Sequence, residues 1–204
     1  MQEENLRLED LLESSNKAND DDRINNVAII GAGIMGRGIA QTVASMGLEV
    51  VIIELDPEKL ESAKEKLSDN IDVEIKRWAM TKSDKKSIFS RIKWETDMNA
   101  VKDCEIIIEA VQEDFDSKVR VFKQLDKIVN PEAIFVSNTS TLSLTNISES
   151  LSRPTKVIGM HFLNPVPKVP MVELVKSLHT SNETVLKVKE FASRIGKTPV
   201  EVYE

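Results

Sequence analysis

The sequence is poor in cysteine, histidine and aromatic residues, with one cysteine, two histidines and 4% Phe, Trp and Tyr. A single cysteine, Cys104, excludes an internal disulfide; this fits a reducing compartment, and we expect a cytoplasmic protein. Cys104 opens an apolar run and is interpreted as a strand residue rather than a nucleophile. With so few aromatic side chains the core has to be aliphatic, as in parallel sheets that are buried on both faces. We predict no metal site.

Long apolar runs and a signal peptide are also missing. No stretch approaches the ~18 consecutive apolar residues that a membrane span needs, so we expect no membrane partner, and the acidic N-terminus has no apolar signal core. The net charge of −7 is concentrated in residues 1–22, which carry eight acidic and two basic side chains. The rest of the chain is near neutral, and we expect no nucleic-acid partner.

Apolar runs alternate with segments of helical periodicity from Asn26 onward. Residues 1–24 are interpreted as an acidic N-terminal extension, helical or disordered, and residues 25–204 as one domain of ordinary size. The predicted strands are Val27–Ile30, Val50–Glu54, Ile92–Trp94, Glu105–Glu109, Ala133–Ser137, Val157–Met160 and Met171–Leu174, with an apolar end at Val200–Val202. The predicted helices are Ile34–Ser45, a segment from Asp56 towards Trp78, Ser83–Arg91, Asp116–Val129, Leu144–Leu151 and Glu183–Ile195. This alternation predicts an α/β fold, a doubly wound and mostly parallel sheet with helices on both faces.

The first predicted strand leads into a glycine-rich turn spelled GxGxxG, which is followed by helical spacing. Gly31 permits a tight turn, Gly33 lets backbone amides approach a pyrophosphate, and Gly36 lets the helix pack closely on the sheet. The free N–H groups and partial positive charge of a helix N-terminus favour phosphates. The candidate phosphate-binding residues are Gly31, Ala32, Gly33, Ile34, Met35 and Gly36.

The second predicted strand ends in Glu54, 18 residues after Gly36. A dinucleotide-binding fold places there the acid that accepts hydrogen bonds from a ribose 2′-OH. Because a carboxylate repels the 2′-phosphate of NADP, the sequence predicts NAD as the cofactor of a Rossmann-like domain. An ordinary βαβ unit with a structural glycine turn is the alternative, and Glu54 argues against it.

A second polar group lies within residues 137–173. Ser140 and His161 each follow a predicted strand and so project from strand carboxyl ends, where open α/β sheets bind ligands. Oxidation of an alcohol by hydride transfer needs a base for the hydroxyl proton, and histidine does this near neutral pH. We predict His161 as this base and Glu173 as the carboxylate that orients it. Ser140 and Asn164 are predicted to hydrogen-bond the substrate oxygen.

Each of these residues also has an interpretation without catalysis. A run such as SNTST is often only loop or cap material. Glu173 lies between Val172 and Leu174 and would face outward on an ordinary strand. A lone histidine is more often structural than catalytic, and His179 is interpreted in that way.

Five short sequence elements occur between about residues 26 and 204. They are GAGIMG at 31–36, IIEAV at 107–111, SNTS at 137–140, HFLNPVP at 161–167 and MVELV at 171–175. In this combination they resemble the NAD-binding domain of the L-3-hydroxyacyl-CoA dehydrogenases, a family that includes the 3-hydroxybutyryl-CoA dehydrogenases. The resemblance implies NAD-dependent oxidation of an L-3-hydroxyacyl-CoA to a 3-oxoacyl-CoA, in fatty-acid β-oxidation or butanoate metabolism. It also implies that Ser140 and Asn164 contact both the substrate oxygen and the cofactor.

Further contacts are implied by the resemblance alone. Glu113 and Lys118 fall where the family contacts NAD near the nicotinamide ribose. The family's ribose acid is commonly Asp, and Glu54 keeps the NAD preference while moving the carboxylate by one methylene. The corresponding helix in the family contacts the adenine nucleotide of coenzyme A, which implies roles for Asn70 and Arg77.

Residues 75–93 carry a net charge of +6, because this segment contains seven basic residues and a single acidic residue, Asp84. Such a segment suits the phosphates of an acyl-CoA substrate, and a solvated helix face explains the same charges. A sugar-acid dehydrogenase of the same superfamily is an alternative function, which this basic segment and the HFLNPVP spelling disfavour.

The family continues past this region with an all-helical domain that closes the active site and forms the dimer interface. This domain is absent from the chain, which ends at Glu204. We therefore expect NAD binding with little turnover by these residues alone, and a homodimer only for the full-length protein. The second alternative is a non-catalytic dinucleotide-binding module, crystallin-like or regulatory, against which the intact site residues argue.

Overall fold

The computed structural model describes residues 23–204, so the predictions for residues 1–22 lie outside the described part. The strands are β1 (Asn26–Ile30), β2 (Glu49–Ile53), β3 (Ile92–Glu95), β4 (Ile106–Glu109), β5 (Ile134–Ser137), β6 (Val157–Phe162), β7 (Met171–Lys176) and β8 (Thr198–Tyr203). The helices are α1 (Ile34–Ser45), α2 (Pro57–Lys76), α3 (Lys82–Arg91), α4 (Phe115–Leu125), α5 (Leu144–Glu149) and α6 (Asn182–Arg194). Short 3-10 turns occupy Met98–Val101 and Pro154–Lys156.

The eight strands of the described region form one sheet in the order β3-β2-β1-β4-β5-β6-β7-β8. Strands β1 to β6 are parallel, β7 runs antiparallel to β6, and β8 is parallel to β7. The order of the six parallel strands reverses between β1 and β4, and open α/β sheets bind ligands at the carboxyl ends beside such a switch point. The predicted doubly wound, mostly parallel fold is confirmed.

The sheet is buried on both faces, as expected for strands that read as continuous apolar runs. On one face, side chains such as Val27 and Ile29 pack with α1, α2, α3 and α6. On the other face, Ala28 and Ile30 pack with α4 and α5. The alternation along β1 follows from the two-residue repeat of a strand, which directs successive side chains to opposite faces. No helix within residues 23–204 is long and apolar enough to cross a bilayer.

Several predicted elements differ from the structure in their bounds, most of them by one or two residues. The helix predicted to reach Val129 ends at Leu125, and Val129 is buried from the turn that follows. Strand β6 continues to Phe162 rather than Met160, because its antiparallel pairing with β7 continues past the end of β5. The apolar end at Val200–Val202 is part of β8, which pairs with β7 over its whole length.

Cys104 was predicted to be a strand residue, and this is wrong because it lies in the turn before β4. Its side chain is buried. Burial raises the pKa of the Cys104 thiol to about 11, with the neighbouring carboxylates of Asp103 and Glu105 contributing. A thiol with so high a pKa carries almost no thiolate at neutral pH, which supports the interpretation that it is not a nucleophile.

Candidate active site

The glycine turn between β1 and α1 leaves no room for larger residues at two positions. Gly31 has a φ of +101°, in the left-handed region, and a Cβ on it would lie 2.8 Å from the carbonyl oxygen of Ala110. A Cβ on Gly36 would lie 1.8 Å from the carbonyl oxygen of Gly31. Around Gly33 there is open space instead, since no atom lies within 4 Å of a Cβ built there. The turn is therefore closely packed at Gly31 and Gly36 and open to solvent at Gly33, as phosphate binding requires.

Helix α1 begins directly over this turn, with Gly33 at its N-cap, and no side chain in the described part of the chain caps the first amides. Those N–H groups lack an intrahelical partner and are available to an anion. Ile34 is exposed beside them, Ala32 is buried, and Met35 is half-buried against the core. The predicted phosphate-binding residues thus occupy one continuous turn, and their contacts with a cofactor stay a prediction.

Glu54 lies at the end of β2, beside the glycine turn. Its Oε2 accepts a hydrogen bond from the backbone N–H of Ala32 at 3.4 Å. It also lines a cavity of about 390 Å³ together with Gly33, Asp56 and Lys59. The predicted ribose acid and the predicted pyrophosphate turn therefore border the same cavity. A carboxylate next to a phosphate-binding turn fits a dinucleotide that carries a free ribose 2′-OH.

His161 and Glu173 are direct register partners in the antiparallel pair of β6 and β7. Directly opposed side chains on one face of such a pair are close enough to interact, and His161 Nδ1 lies 2.8 Å from Glu173 Oε2. The two side chains are 25% and 37% exposed. This contact leaves Nε2 of the imidazole for another partner. The predicted pairing of the two residues is present in the structure, and their catalytic role stays a prediction.

The position of His161 at the carboxyl edge follows from the strand register. Ser137, the last residue of β5, pairs with Gly159, so His161 lies two residues beyond the end of β5. Asn138 continues from β5, and its Oδ1 accepts a hydrogen bond from the N–H of Phe162 at 2.9 Å. Asn138 was missed by the sequence reasoning, although it stands inside the SNTST run. It joins the segment that carries Ser140 to the strand that carries His161.

Ser140 and Asn164 are both exposed near this edge. Within residues 23–204 neither the Ser140 hydroxyl nor the Asn164 amide side chain has a protein hydrogen-bond partner, so both are available to a ligand. Asn164 precedes Pro165 through a cis peptide bond and lines a cavity of about 460 Å³ between α1, α2 and the segment after β6.

Lys197 holds the segment after β6 in place. This lysine is buried, and its Nζ donates to the carbonyl oxygens of Val166 at 2.5 Å and Val169 at 2.6 Å. Burial lowers the pKa of Lys197. On the outer side of the segment, Lys168 forms an ion pair with Glu74 of α2 at 2.9 Å. Sequence reasoning missed Lys197; its only signal was a lysine placed directly before the apolar end strand.

A buried charge network lies beneath the Ser140 segment. Lys118 of α4 and Glu109 of β4 are 1% and 0% exposed, and Lys118 Nζ lies 2.7 Å from Glu109 Oε1. Lys118 Nζ also lies 3.0 Å from Oε2 of Glu113. Ser137 donates to Glu109 Oε2 at 2.7 Å, and the N–H of Ser140 donates to Glu113 Oε1 at 3.1 Å. The network therefore links two strand ends, one helix and the Ser140 segment.

The two carboxylates of this network are shifted in opposite directions. Burial raises the pKa of Glu109, and the attraction of Lys118 offsets only part of that effect. Partial burial acts to raise the pKa of Glu113 as well, but the hydrogen bond from Thr139 and the charge of Lys118 outweigh it and lower the pKa. Lys118 itself is enclosed by these carboxylates. Its contact with NAD stays a prediction, and in this arrangement the Lys118 ammonium group pairs with the exposed Glu113.

The two residues implied for coenzyme A differ in their surroundings. Asn70 of α2 lines the 460 Å³ cavity next to Asn164. Arg77 caps the end of α2, outside the residues lining that cavity, and pairs with Glu74 at 3.6 Å. The structure therefore brings Asn70 into the candidate site and leaves Arg77 at its periphery.

Three features together define a dinucleotide-binding Rossmann domain: the order of the strands, the glycine turn and the acid at the end of β2. A polar cluster lies at the same edge of the sheet. The sequence matches the family model "3-hydroxyacyl-CoA dehydrogenase, NAD binding domain" over residues 26–204. The chain belongs to this family. The resemblance and the NAD cofactor inferred from the sequence are thereby confirmed.

Curated relatives and solved structures agree with this family. The chain is 40% identical over 179 residues to a probable 3-hydroxybutyryl-CoA dehydrogenase of Bacillus subtilis, covering 88% of this chain and 62% of the relative. It is 38% identical over 172 residues to a probable 3-hydroxybutyryl-CoA dehydrogenase of Deinococcus radiodurans, covering 84% and 62%. The (S)-3-hydroxybutyryl-CoA dehydrogenase PaaH1 from Ralstonia eutropha superposes with a TM-score of 0.86 at 40% identity, covering 89% and 64%. The chain thus spans less than two thirds of the length of these relatives.

Proposed function

We propose that this chain is the cofactor-binding part of an NAD-dependent L-3-hydroxyacyl-CoA dehydrogenase, which oxidises the 3-hydroxyl group of an acyl-CoA to a ketone. The observation that carries the proposal is the contact of 2.8 Å between His161 Nδ1 and Glu173 Oε2 at the carboxyl edge of the sheet. The same edge carries the glycine turn and Glu54. The names of the relatives support the substrate class.

The reaction separates a proton from a hydride, and the residues of this chain handle the proton. NAD, when bound over the glycine turn, supplies the acceptor for the hydride that leaves carbon 3 of the substrate. His161 Nε2 takes the proton of the 3-hydroxyl as the C–H bond breaks and the C=O bond forms. Glu173 holds the other ring nitrogen, which fixes the tautomer and stabilises the imidazolium that results. The proton then passes to solvent.

Other residues orient the reactants. Ser140 and Asn164, whose polar side chains have no hydrogen-bond partner among residues 23–204, are available to the substrate oxygen and to the cofactor. Glu113, held by Lys118, presents a carboxylate for a cofactor ribose, and Asn70 lies in the cavity proposed for the coenzyme A part. Each of these groups is worth most when it is held rigidly in the productive geometry.

The setting of the activity is part of the proposal. We infer one NAD-binding domain over residues 25–204, a cytoplasmic enzyme of fatty-acid β-oxidation or butanoate metabolism, and a homodimer of the full-length protein with its helical domain. The relatives' names support the reaction class, and the part of their length that this chain does not span is consistent with a further domain.

The direct test is an assay of the full open reading frame with NAD and (S)-3-hydroxybutyryl-CoA, following the formation of NADH. Where that frame ends at Glu204, the helical domain of a relative is added as a separate chain. We expect NADH formation with the acyl-CoA and none with free 3-hydroxybutyrate or with sugar acids. NAD binding without any turnover would favour the non-catalytic module, and turnover of a sugar acid would favour the second alternative.

A further inference from the structure

Arg37, in the first turn of α1, borders both cavities of the candidate site. It lines the cavity of about 460 Å³ together with Asn70 and Asn164. It also lines the cavity of about 390 Å³ together with Gly33 and Glu54. Its side chain is therefore part of the wall between the proposed coenzyme A cavity and the proposed NAD cavity.

The Arg37 guanidinium is held in place, but among residues 23–204 it has no counter-ion. Its Nη1 donates to the carbonyl oxygen of Ala32 at 2.9 Å, which fixes the plane of the group against the glycine turn. Its Nε is buried without a hydrogen-bond partner in the described part of the chain. No carboxylate within residues 23–204 lies at ion-pair distance from it. Lys168, which lines the larger cavity as well, pairs with Glu74 at 2.9 Å.

A cation in this situation is costly for the fold. Partial burial lowers the pKa of the Arg37 guanidinium, as expected for a charge that is partly withdrawn from water. Arginine keeps its proton at every pH that proteins tolerate, so the charge persists. Buried donors are normally satisfied, and an unsatisfied one calls for an explanation. The fingerprint GxGxxG leaves the next position unspecified, so Arg37 is a property of this chain rather than a requirement of the turn.

We propose that Arg37 recognises the diphosphate ester of a ligand bound at this wall. The guanidinium fork matches phosphate oxygens bidentately, and the free amides of the α1 N-terminus lie in the same turn. NAD and coenzyme A both carry a diphosphate, and Arg37 borders the cavity proposed for each. This inference rests on the proposed function for the identity of the two ligands. It adds a binding residue that neither the glycine turn nor the His161–Glu173 pair requires.

The test is a calorimetric titration of the full-length protein with NAD and, separately, with acetoacetyl-CoA. The variants are Arg37→Met, Arg37→Lys and the matched control Arg120→Met, which removes the same charge from an exposed position on α4. Two further ligands lack the diphosphate, namely nicotinamide mononucleotide and the pantetheine thioester of acetoacetate. Thermal unfolding of each variant is recorded in parallel.

We expect Arg37→Met to raise the Kd of NAD, of acetoacetyl-CoA or of both by roughly 10- to 100-fold, as for a lost charge-assisted hydrogen bond. The ligand whose Kd rises identifies the source of the diphosphate. Arg37→Lys keeps the charge without the fork and gives an intermediate Kd, which serves as the test should Arg37→Met fail to fold. Arg120→Met stays within about twofold, and the two ligands without a diphosphate bind every variant as they bind the parent.

Two results would overturn the inference, and only the second of them would also overturn the proposed function. Unchanged affinities for both ligands in Arg37→Met and Arg37→Lys would remove the role of Arg37 and leave the proposed function intact. Failure of the parent protein to bind either ligand would overturn the proposed function together with the inference.

Discussion

Residues 23–204 contain two histidine–glutamate pairs, one at each edge of the sheet. His161 Nδ1 lies 2.8 Å from Glu173 at the carboxyl edge of the parallel strands. His179 Nε2 lies 3.2 Å from Glu149 at the opposite edge, where Thr180 donates to the carbonyl oxygen of Val157 at the start of β6. Chemically the two pairs are alike, and both are partly exposed.

The surroundings of the two pairs are what distinguish them. His161 shares its edge with the glycine turn, Glu54 and the Ser140 segment. His179 lies in a turn whose hydroxyls, such as Ser177 and Thr180, are occupied with one another and with the backbone. A histidine next to a carboxylate is therefore not enough to define a catalytic site. What distinguishes the candidate base is its position on the sheet relative to the proposed cofactor cavity.

The largest contrast is expected from removing each imidazole in the full-length protein. His161→Ala removes the proposed base, and we expect kcat to fall by about 10²- to 10⁴-fold, the usual range for general base catalysis. His179→Ala is the matched control, for which we expect kcat within about twofold of the parent. Steady-state assays with 3-hydroxybutyryl-CoA measure both. A loss below tenfold in His161→Ala, or an equal loss in both variants, would remove the assignment of the base.

Lysines near the two edges of the sheet also differ in how deeply their ion pairs are buried. Lys118→Met leaves the buried Glu109 without its cation, and breaking a buried pair from one side typically costs about 3–5 kcal/mol of unfolding free energy. Lys156 lies just before β6 and pairs with Glu132, whose side chain is 78% exposed. Because exposed pairs contribute little, Lys156→Met is expected to leave the denaturation midpoint nearly unchanged. Urea unfolding of both variants gives the answer, and similar midpoints would show that the network does not stabilise the carboxyl edge.

A smaller contrast is expected for the two glutamates. Glu173→Gln keeps an oxygen for Nδ1 but removes the charge that stabilises the imidazolium, so we expect kcat to fall by about 10- to 100-fold with the KM for NAD unchanged. Glu149→Gln should change neither constant. A Glu173→Gln variant that alters only KM would make this residue a binding group rather than a partner of the base.

The smallest effect is expected at Glu54, which acts on the cofactor rather than on the reaction. The parent protein should bind NAD more tightly than NADP, and Glu54→Ala should weaken NAD binding by about tenfold, as for one charge-assisted hydrogen bond. Glu61→Ala, on an exposed position of α2 outside the lining of this cavity, serves as the control and should leave both affinities unchanged. Calorimetry measures both affinities. Equal affinity of the parent for the two cofactors would contradict the role of Glu54.

The parts of the site that sequence predicts well are local or lie on neighbouring strands. The glycine turn is one continuous segment, and Glu54 directly follows β2, the strand that pairs with β1. His161 and Glu173 occupy strands separated by a single connection, which made their pairing a reasonable prediction. In each case short-range geometry places the side chains, and the residue types alone indicate the chemistry.

The remaining contacts depend on packing between distant segments and carry little sequence signal. In the sequence, Glu109 is only the polar end of an apolar strand. Its partner Lys118 comes from α4, and their contact forms only in the folded chain. Lys197 reads as an ordinary surface lysine until the chain places the carbonyls of Val166 and Val169 around its ammonium group. The wall formed by Arg37 exists only where two cavities meet. Such features require the three-dimensional arrangement, because their partners come from separate elements.

The proposed reaction requires that the imidazole of His161 and the nicotinamide of NAD meet over one edge of the sheet. The most direct measurement is a crystal structure of the full-length protein with NAD and acetoacetyl-CoA bound. We expect His161 Nε2 within hydrogen-bond distance, about 2.6–3.2 Å, of the 3-oxygen of the substrate, with the nicotinamide on the other side of carbon 3. A nicotinamide bound away from His161, or a substrate oxygen held by other groups alone, would contradict it.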